Sequence, residues 1–326
     1  MSSDTYTVVS TMKNEGPYIL EWVAHYRALG FDKFVVCTND CTDTTVEMLK
    51  RLEEMGLVRH HATAIRNGGI HRSALRQARR YAEVQEARWV FVCDVDEFLN
   101  IHMGDGSVRA LVEGSGDGFD VICVPWRIFG SAGVEEIADA PVTRQFTLAE
   151  LPHDPVARPG TGKFVKSLFT NQEKFGRMGL HAPVMPKDRR GEEIAVLPGG
   201  ARYHVGGTRT ENPPAFDLAQ VNHYALRSMD SFLVKRARGR ANHSHHVLGL
   251  DYWERFDLNE APDASIARYD AAARAIREEL HADPVLADLH ARAVEWHRRK
   301  AAAMRMDPEL DGLVAALKGH VRRAAA

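Results

Sequence analysis

The chain has 326 residues, 44% hydrophobic and 26% charged, with a formal net charge of −2. That length covers one large domain with additions, or two domains, and the near-neutral charge excludes the basic field of a nucleic-acid binder. No apolar run approaches the length needed to cross a bilayer, and the start, MSSDTYTVVSTMKNEG, has neither the basic opening nor the apolar core of a secretion signal.

Taken in order, TYTVVSTM reads as a strand and EGPYILEWVAHYRALG as a helix with apolar residues at helical spacing and a terminal Gly30. DKFVVCTN is a second strand, and DTTVEMLKRLEEMG a helix with Asp43 or Thr44 placed to cap it and Gly56 to end it. LVRHHAT is a third strand, HRSALRQARRYAEVQ a third helix and RWVFVCDVDEF a fourth strand. A short helix near 107–113 leads to a fifth strand, FDVICVPWRIF. This alternation predicts an α/β fold, a mostly parallel sheet with helices on both faces and ligands beyond the carboxyl ends of the strands. From about 130 to 245 Pro and Gly are frequent, which predicts short strands and long loops. From about 262 the chain is rich in Ala, Arg and Glu and helical, ending in a basic, weakly amphipathic tail. The four cysteines (Cys37, Cys41, Cys93, Cys123) make no CxxC pair and complete no zinc site, so free thiols and a reducing cytoplasm are expected.

The run VFVCDVDEFL is apolar and then acidic. Side chains alternate along an extended chain, so Asp94 and Asp96 are expected to point the same way, with Glu97 to the other face. Aligned carboxylates repel unless a cation sits between them, and a hard divalent ion suits oxygen ligands. A strand-end turn of solvated acids is the plainer reading.

With KNE (13–15) and NDCTDTT (39–45) ahead of DVDEF, the sequence resembles the GT-A glycosyltransferases, most closely the family-2-like group related to glycosyltransferase family 92. TMKNEGPYILEWVAHYRALGFDKFVVCTNDCTDTT and WVFVCDVDEFLNI carry most of the match, and WRIFGSAG, HAP (181–183) and VNHYALRSMDSFLVKRARGR extend it. The resemblance implies a GT-A domain over 1–245, with a nucleotide-binding half at 1–126 and an acceptor- and metal-completing half at 127–245. A C-terminal helical region at 246–326 lies outside it.

The implied reaction moves a sugar from a nucleotide-sugar donor to a saccharide or lipid-linked acceptor, with Mn²⁺ or Mg²⁺ and with inversion, in cell-surface polysaccharide synthesis. Asp94 would face the donor ribose or the metal, Asp96 would bind the metal, and His223 would complete it, with His181 as competitor. Lys13, Asn14, Glu15, Asp40 and Arg72 are the nucleotide-side candidates. For Asp40 a helix cap, and for Glu15 a favourable charge at a helix start, are equal readings. Lys235 and Arg238 would clamp the diphosphate or form a solvated basic face. Trp126 and Phe129 would stack on a sugar or fill the core. The cluster His243, His245 and His246 reads as a loop rather than a metal site. Glu135, Glu136, Asp139 and Asp188 are undistinguished as catalytic base, which stays unassigned. The tail LVAALKGHVRR has the pattern of a membrane-surface helix, which a lipid-linked acceptor would give a purpose. The rivals are a haloacid-dehalogenase-type phosphatase using Asp94 and Asp96, a nucleotidyltransferase, and a non-catalytic carbohydrate-binding protein. The phosphatase motif normally opens its fold, whereas here it follows a fourth strand. A nucleotidyltransferase would want an early Gly-rich loop, which VVSTMKNEG lacks.

Overall fold

The structure is a computed structural model that describes residues 4–64, 69–151, 164–170, 175–203, 216–239 and 248–324. Its first part alternates as expected except that the expected third helix, 71–85, is broken in two at residues 79–81: β1 (Tyr6–Met12), α1 (Gly16–Ala28), β2 (Lys33–Thr38), α2 (Thr45–Glu54), β3 (Arg59–Ala62), α3 (Ile70–Ala78), the one-turn α4 (Ala82–Gln85) and β4 (Trp89–Val92). Then come β5 (Glu97–Ile101), α5 (Val108–Gly114), β6 (Val121–Ile128), α6 (Val142–Gln145), β7 (Leu148–Ala149), β8 (Val165–Thr170), β9 (Ala195–Val196), β10 (Arg202–Tyr203) and β11 (Ala219–His223). Helices dominate the remainder: α7 (Met229–Arg238), α8 (Leu250–Phe256), a short β12 (Ala261–Pro262), α9 (Asp270–His281), α10 (Pro284–Arg305) and α11 (Asp311–Ala324).

The main sheet runs β10-β9-β6-β8-β4-β1-β2-β3, with β11 beside β6 and β5 beside β11. β1 is parallel to both neighbours, Val8 standing opposite Phe34 and Phe91. β8 is antiparallel to β4 and to β6, so β6 runs the same way as β4. The alternation of side chains splits the apolar residues between two cores. Val8, Val36 and Phe91 join Trp22 and Tyr26 of α1 on one face. Val9, Val35 and Val90 join Ala74, Leu75 and Ala78 of α3 on the other. With both faces covered, the parallel strands can be continuously apolar. α1 stops where expected, at Gly30, whose φ of +91° a side chain would resist.

Two expectations are corrected. DVDEF is not the end of the fourth strand. The Glu97 N–H bonds to the Asp94 carbonyl at 3.1 Å, the chain turns, and Glu97 opens β5, which pairs antiparallel with β11. The tail is not a free membrane-surface helix either. Val314, Leu317 and Val321 of α11 are buried in the same core as β1, where α11 packs on α7 and α8, so its apolar face is already covered. Among the described residues no helix is long and apolar enough to cross a membrane.

Candidate functional site

β1, β2, β4 and β11 all end at one edge of the sheet, and β8, running the other way, begins there. A cleft of about 450 Å³ opens at this edge. Its polar lining includes Lys13, Glu15, Asn39, His71, Asp94, Asp96, His223, Lys235 and Arg238, and its aromatic lining Trp126, Phe164, His181, Tyr252 and Phe256.

Asp94 and Asp96 share this cleft because of the turn between β4 and β5, not because of strand alternation. Each carboxylate has its own lysine. Nζ of Lys166 lies 3.1 Å from Oδ2 of Asp94 and 3.0 Å from Oε2 of Glu97. Nζ of Lys235 lies 2.8 Å from Oδ2 of Asp96 and donates to the Ala225 carbonyl, also at 2.8 Å. Burial alone would raise both aspartates; Lys166 beside Asp94, and Lys235 with His223 and Arg227 beside Asp96, more than offset it and hold both below the usual carboxylate range. Glu97, with a side chain 0% exposed, is pushed by burial up to about 8 despite Lys166, so the lysine's charge serves Asp94. Glu97 still shapes the turn, because Oε2 accepts the Asp94 N–H at 2.8 Å.

Arginines hold the neighbouring turn. Arg227 donates to Oε2 of Glu15 at 3.1 Å and to the Val95 carbonyl at 3.3 Å, with its guanidinium 3.5 Å from the centre of the Tyr18 ring. Arg238 bonds to the Lys13 carbonyl at 2.6 Å and also to the Glu15 carboxylate. Glu15 therefore meets two guanidinium groups at the edge of the cleft.

Burial lowers His181 and His223 to about 4, so both are neutral at pH 7. The His223 ring sits 4.2 Å from that of Trp126, and its Nε2 lies 3.9 Å from Oδ1 of Asp96. Lys235 engages Oδ2, which leaves Oδ1 for another partner; the buried Nδ1 of His223 has no hydrogen-bond partner among the described residues. His181 donates Nδ1–H to the Val165 carbonyl at 2.9 Å, which makes Nε2 the lone-pair nitrogen.

No group of three His, Cys, Asp or Glu among the described residues is gathered closely enough to enclose a metal. The donors present fit a different kind of site. Two ligands each about 2.1 Å from one ion can stand up to about 4.2 Å apart, and Mg²⁺ commonly takes one or two protein ligands together with substrate phosphates. The Asp96 carboxylate oxygen and the neutral His223 nitrogen, 3.9 Å apart, lie within that outer limit but wider than the about 3.0 Å of adjacent octahedral ligands, so one ion held by both would draw them together.

Lys13, Glu15, Asp94, Asp96, His223, Lys235 and Arg238 are thus brought to one cleft. Lys235 and Arg238 are no solvated face, since each is ion-paired across the fold. Asn14 lies in a recess behind Asp96, its Oδ1 accepting the Thr42 N–H at 2.7 Å. Asp40 is exposed, with φ +44°, and lines none of the cleft. Arg72 is not in the cleft: α3 turns Ser73, Ala74 and Leu75 inward, leaves Arg72 and Arg76 exposed, and presents His71 instead, bonded to Oγ1 of Thr11 at 2.8 Å. The four undistinguished acids lie outside the cleft lining, Glu135 paired with Arg305 and Asp139 with His290. His243, His245 and His246 fall outside the described residues. Sequence reasoning missed Lys166, Arg227 and His71. The signal for Lys166 was a lysine inside the apolar run FVKSLFT, where a buried charge needs an acid partner.

The sequence profile of glycosyltransferase family 92 matches residues 7–189, more than half of the chain. The chain belongs to glycosyltransferase family 92. That membership sets aside the phosphatase, and the mostly parallel sheet flanked by helices is the GT-A arrangement the sequence implied. No curated protein matches the sequence. Similar solved structures include S. aureus TarS 1-349 in complex with UDP-GlcNAc, at 13% identity over 99% of this chain and 82% of that one, TM-score 0.35. Another is glucosyl-3-phosphoglycerate synthase from Mycobacterium tuberculosis in complex with Mg²⁺ and UDP, at 18% identity over 63% of this chain and 73% of that one, TM-score 0.32. Against a longer S. aureus TarS chain the match has 15% identity and TM-score 0.30, and covers 51% of this chain but only 28% of that one.

Proposed function

We propose that this family 92 protein transfers a sugar from a nucleotide-sugar donor to a saccharide or lipid-linked acceptor, with a divalent cation and with inversion. The observation that supports it is the acidic turn itself: Asp94 and Asp96, each balanced by a lysine, face one cleft at the carboxyl edge of the sheet.

Breaking the glycosidic bond leaves a diphosphate on which negative charge accumulates. A bound Mn²⁺ or Mg²⁺ would neutralise that charge, held by Oδ1 of Asp96 and Nε2 of His223 with Asp94 beside it. Lys235 and Arg238 can each trade a carboxylate oxygen for a phosphate oxygen, since both partners are charge-assisted acceptors. Lys13, Glu15 and Asn39, which line the cleft, mark the nucleotide side, and Asn14 supports their turn from behind. The aromatic wall of Trp126, Tyr252 and Phe256 suits the faces of sugar rings. Inversion requires a base for the acceptor hydroxyl. Glu15, Asp94 and Asp96 are all ion-paired, and burial lowers His181 to about 4, too far below neutral pH for an effective base, so we assign that proton to no residue. The free thiols favour the reducing cytoplasm, and synthesis of a cell-surface polysaccharide is the setting we propose.

The test is a thermal-shift panel of nucleoside diphosphates and nucleotide sugars, with and without Mn²⁺. One base should raise the melting temperature strongly with Mn²⁺ and weakly without; a ligand at a hundred times its Kd stabilises by about 2.7 kcal/mol. A protein shifted by free saccharides and by no nucleotide is a carbohydrate-binding protein instead.

A further inference from the structure

α10 lies beyond the residues matched by the family profile, yet it reaches the turns that carry the cleft. Leu289, Ala293 and His297 recur every fourth residue and so share one face of the helix. Each touches the turns after β1 and β2 at a different point. The Leu289 carbonyl accepts the Thr44 hydroxyl at 2.7 Å. Ala293 packs so closely on Gly16 that a Cβ added there would lie 2.5 Å from that of Ala293. Nε2 of His297 lies 3.2 Å from Oδ2 of Asp43.

Asp43 is the knot of these contacts. Its Oδ2 also accepts the Gly16 N–H at 3.0 Å and its Oδ1 the Thr45 N–H at 2.9 Å. Its side chain is 0% exposed and that of His297 2%. Both turns pass through left-handed backbone at Asn14 (φ +52°) and Asp40 (φ +44°), residue types that accept it, and the Asn14 Oδ1 accepts the Thr42 N–H at 2.7 Å, so the two turns are tied to each other as well as to Asp43. The same turns present Lys13, Glu15 and Asn39 to the cleft.

We propose that the Leu289–Ala293–His297 face of α10 braces the donor-binding turns, with His297 the positioning residue that fixes Asp43. The assignment of these turns to the donor rests on the function proposed above; the brace itself does not. His297 acts through Asp43 and not on the substrate.

The experiment combines hydrogen exchange with nucleotide titration for His297→Leu, His297→Gln, Thr44→Val and, as control, Arg299→Ala on the exposed side of α10. His297→Leu and Thr44→Val should speed amide exchange in 13–16 and 39–45 by about tenfold while β4 stays protected, the scale at which residues off a site modulate it. The same two variants should weaken binding of whichever of UDP, GDP, CDP or dTDP the wild type takes with Mn²⁺, raising donor KM more than they lower kcat. His297→Gln, which keeps a donor for Asp43, should recover much of both effects, and Arg299→Ala should show neither. If His297→Leu does not fold, the near-isosteric Thr44→Val carries the test. Wild-type protein that binds none of the four nucleotides overturns the donor reading and leaves the exchange result to judge the brace. Unchanged exchange in both His297→Leu and Thr44→Val overturns the brace, whatever nucleotide binds.

Discussion

Lys166 enters the acidic turn from the second position of β8, with 1% of its side chain exposed. Removing one partner of a fully buried ion pair typically costs about 3–5 kcal/mol; the Asp94 side chain is 34% exposed, so water screens the charge it would leave and the loss is smaller. Lys166→Met should therefore lower the unfolding free energy by less than that figure, seen as a lower urea midpoint at unchanged slope. An unchanged midpoint would mean that Asp94 is neutralised some other way. His25 offers a second test by pH. Burial lowers it from 6.5 to about 4, and its Nε2 sits 2.8 Å from the Leu99 carbonyl. Between those values the unfolded chain binds a proton that the folded one refuses. Stability is complete above about pH 6.5 and declines as the pH falls toward 4, by about 2 kcal/mol at pH 5 from this residue. His25→Gln should lose correspondingly less stability than wild type between pH 7.5 and 5, read from unfolding curves at the two pH values. Equal losses would show that His25 titrates normally in the fold.

At the scale of elements, α1 and α10 meet where Gly16 faces Ala293. Gly16→Ala puts one methyl into a 2.5 Å gap, and overpacking of that kind costs about 1–3 kcal/mol. Adding Ala293→Gly should return most of the lost melting temperature; if it does not, the strain lies elsewhere. Most elements were legible in the sequence, since β1, β2 and β4 are short continuous apolar runs and the helices between them carry a 3.6-residue pattern, α1 and α2 ending at Gly30 and Gly56. β5 was not, because its Glu97–Ile101 continues the apolar run of β4 with no Gly or Pro between them. β8 was not, because it lies in the Pro- and Gly-rich stretch where local pattern is weak and the partner strands β4 and β6 supply the order. The site followed the same division. The Asp94–Asp96 motif was visible as local sequence, whereas the pairing of Lys166 with Asp94 spans 72 residues and depends on the sheet having formed. Arg72 was misplaced by a single residue of helix phase, which His71 occupies.

The molecule as a whole shares one large core that runs from Tyr6 to Val321 and takes in Leu286, Leu289 and Ala293 of α10 and Leu317 of α11. We expect residues 1–245 alone to expose that face and to lose the cooperative thermal transition of the full chain, as seen by calorimetry; a sharp transition near the full-length temperature would make the C-terminal helices a separate unit. The charge at the centre of the cleft matters for function rather than for this core. Asp96→Asn keeps the size of the side chain and an oxygen for Lys235, whose Nζ also bonds the Ala225 carbonyl, so the fold should survive with some loss of stability from the broken ion pair. The direct measurement is donor hydrolysis or transfer by wild type and Asp96→Asn, each with Mn²⁺ and with a chelator. Wild type should be active with Mn²⁺ and nearly inactive in chelator, and Asp96→Asn should fall by more than the roughly 10–100-fold typical of losing a partner behind a metal ligand. Full wild-type activity in chelator, or an Asp96→Asn enzyme as active as wild type, would contradict the account.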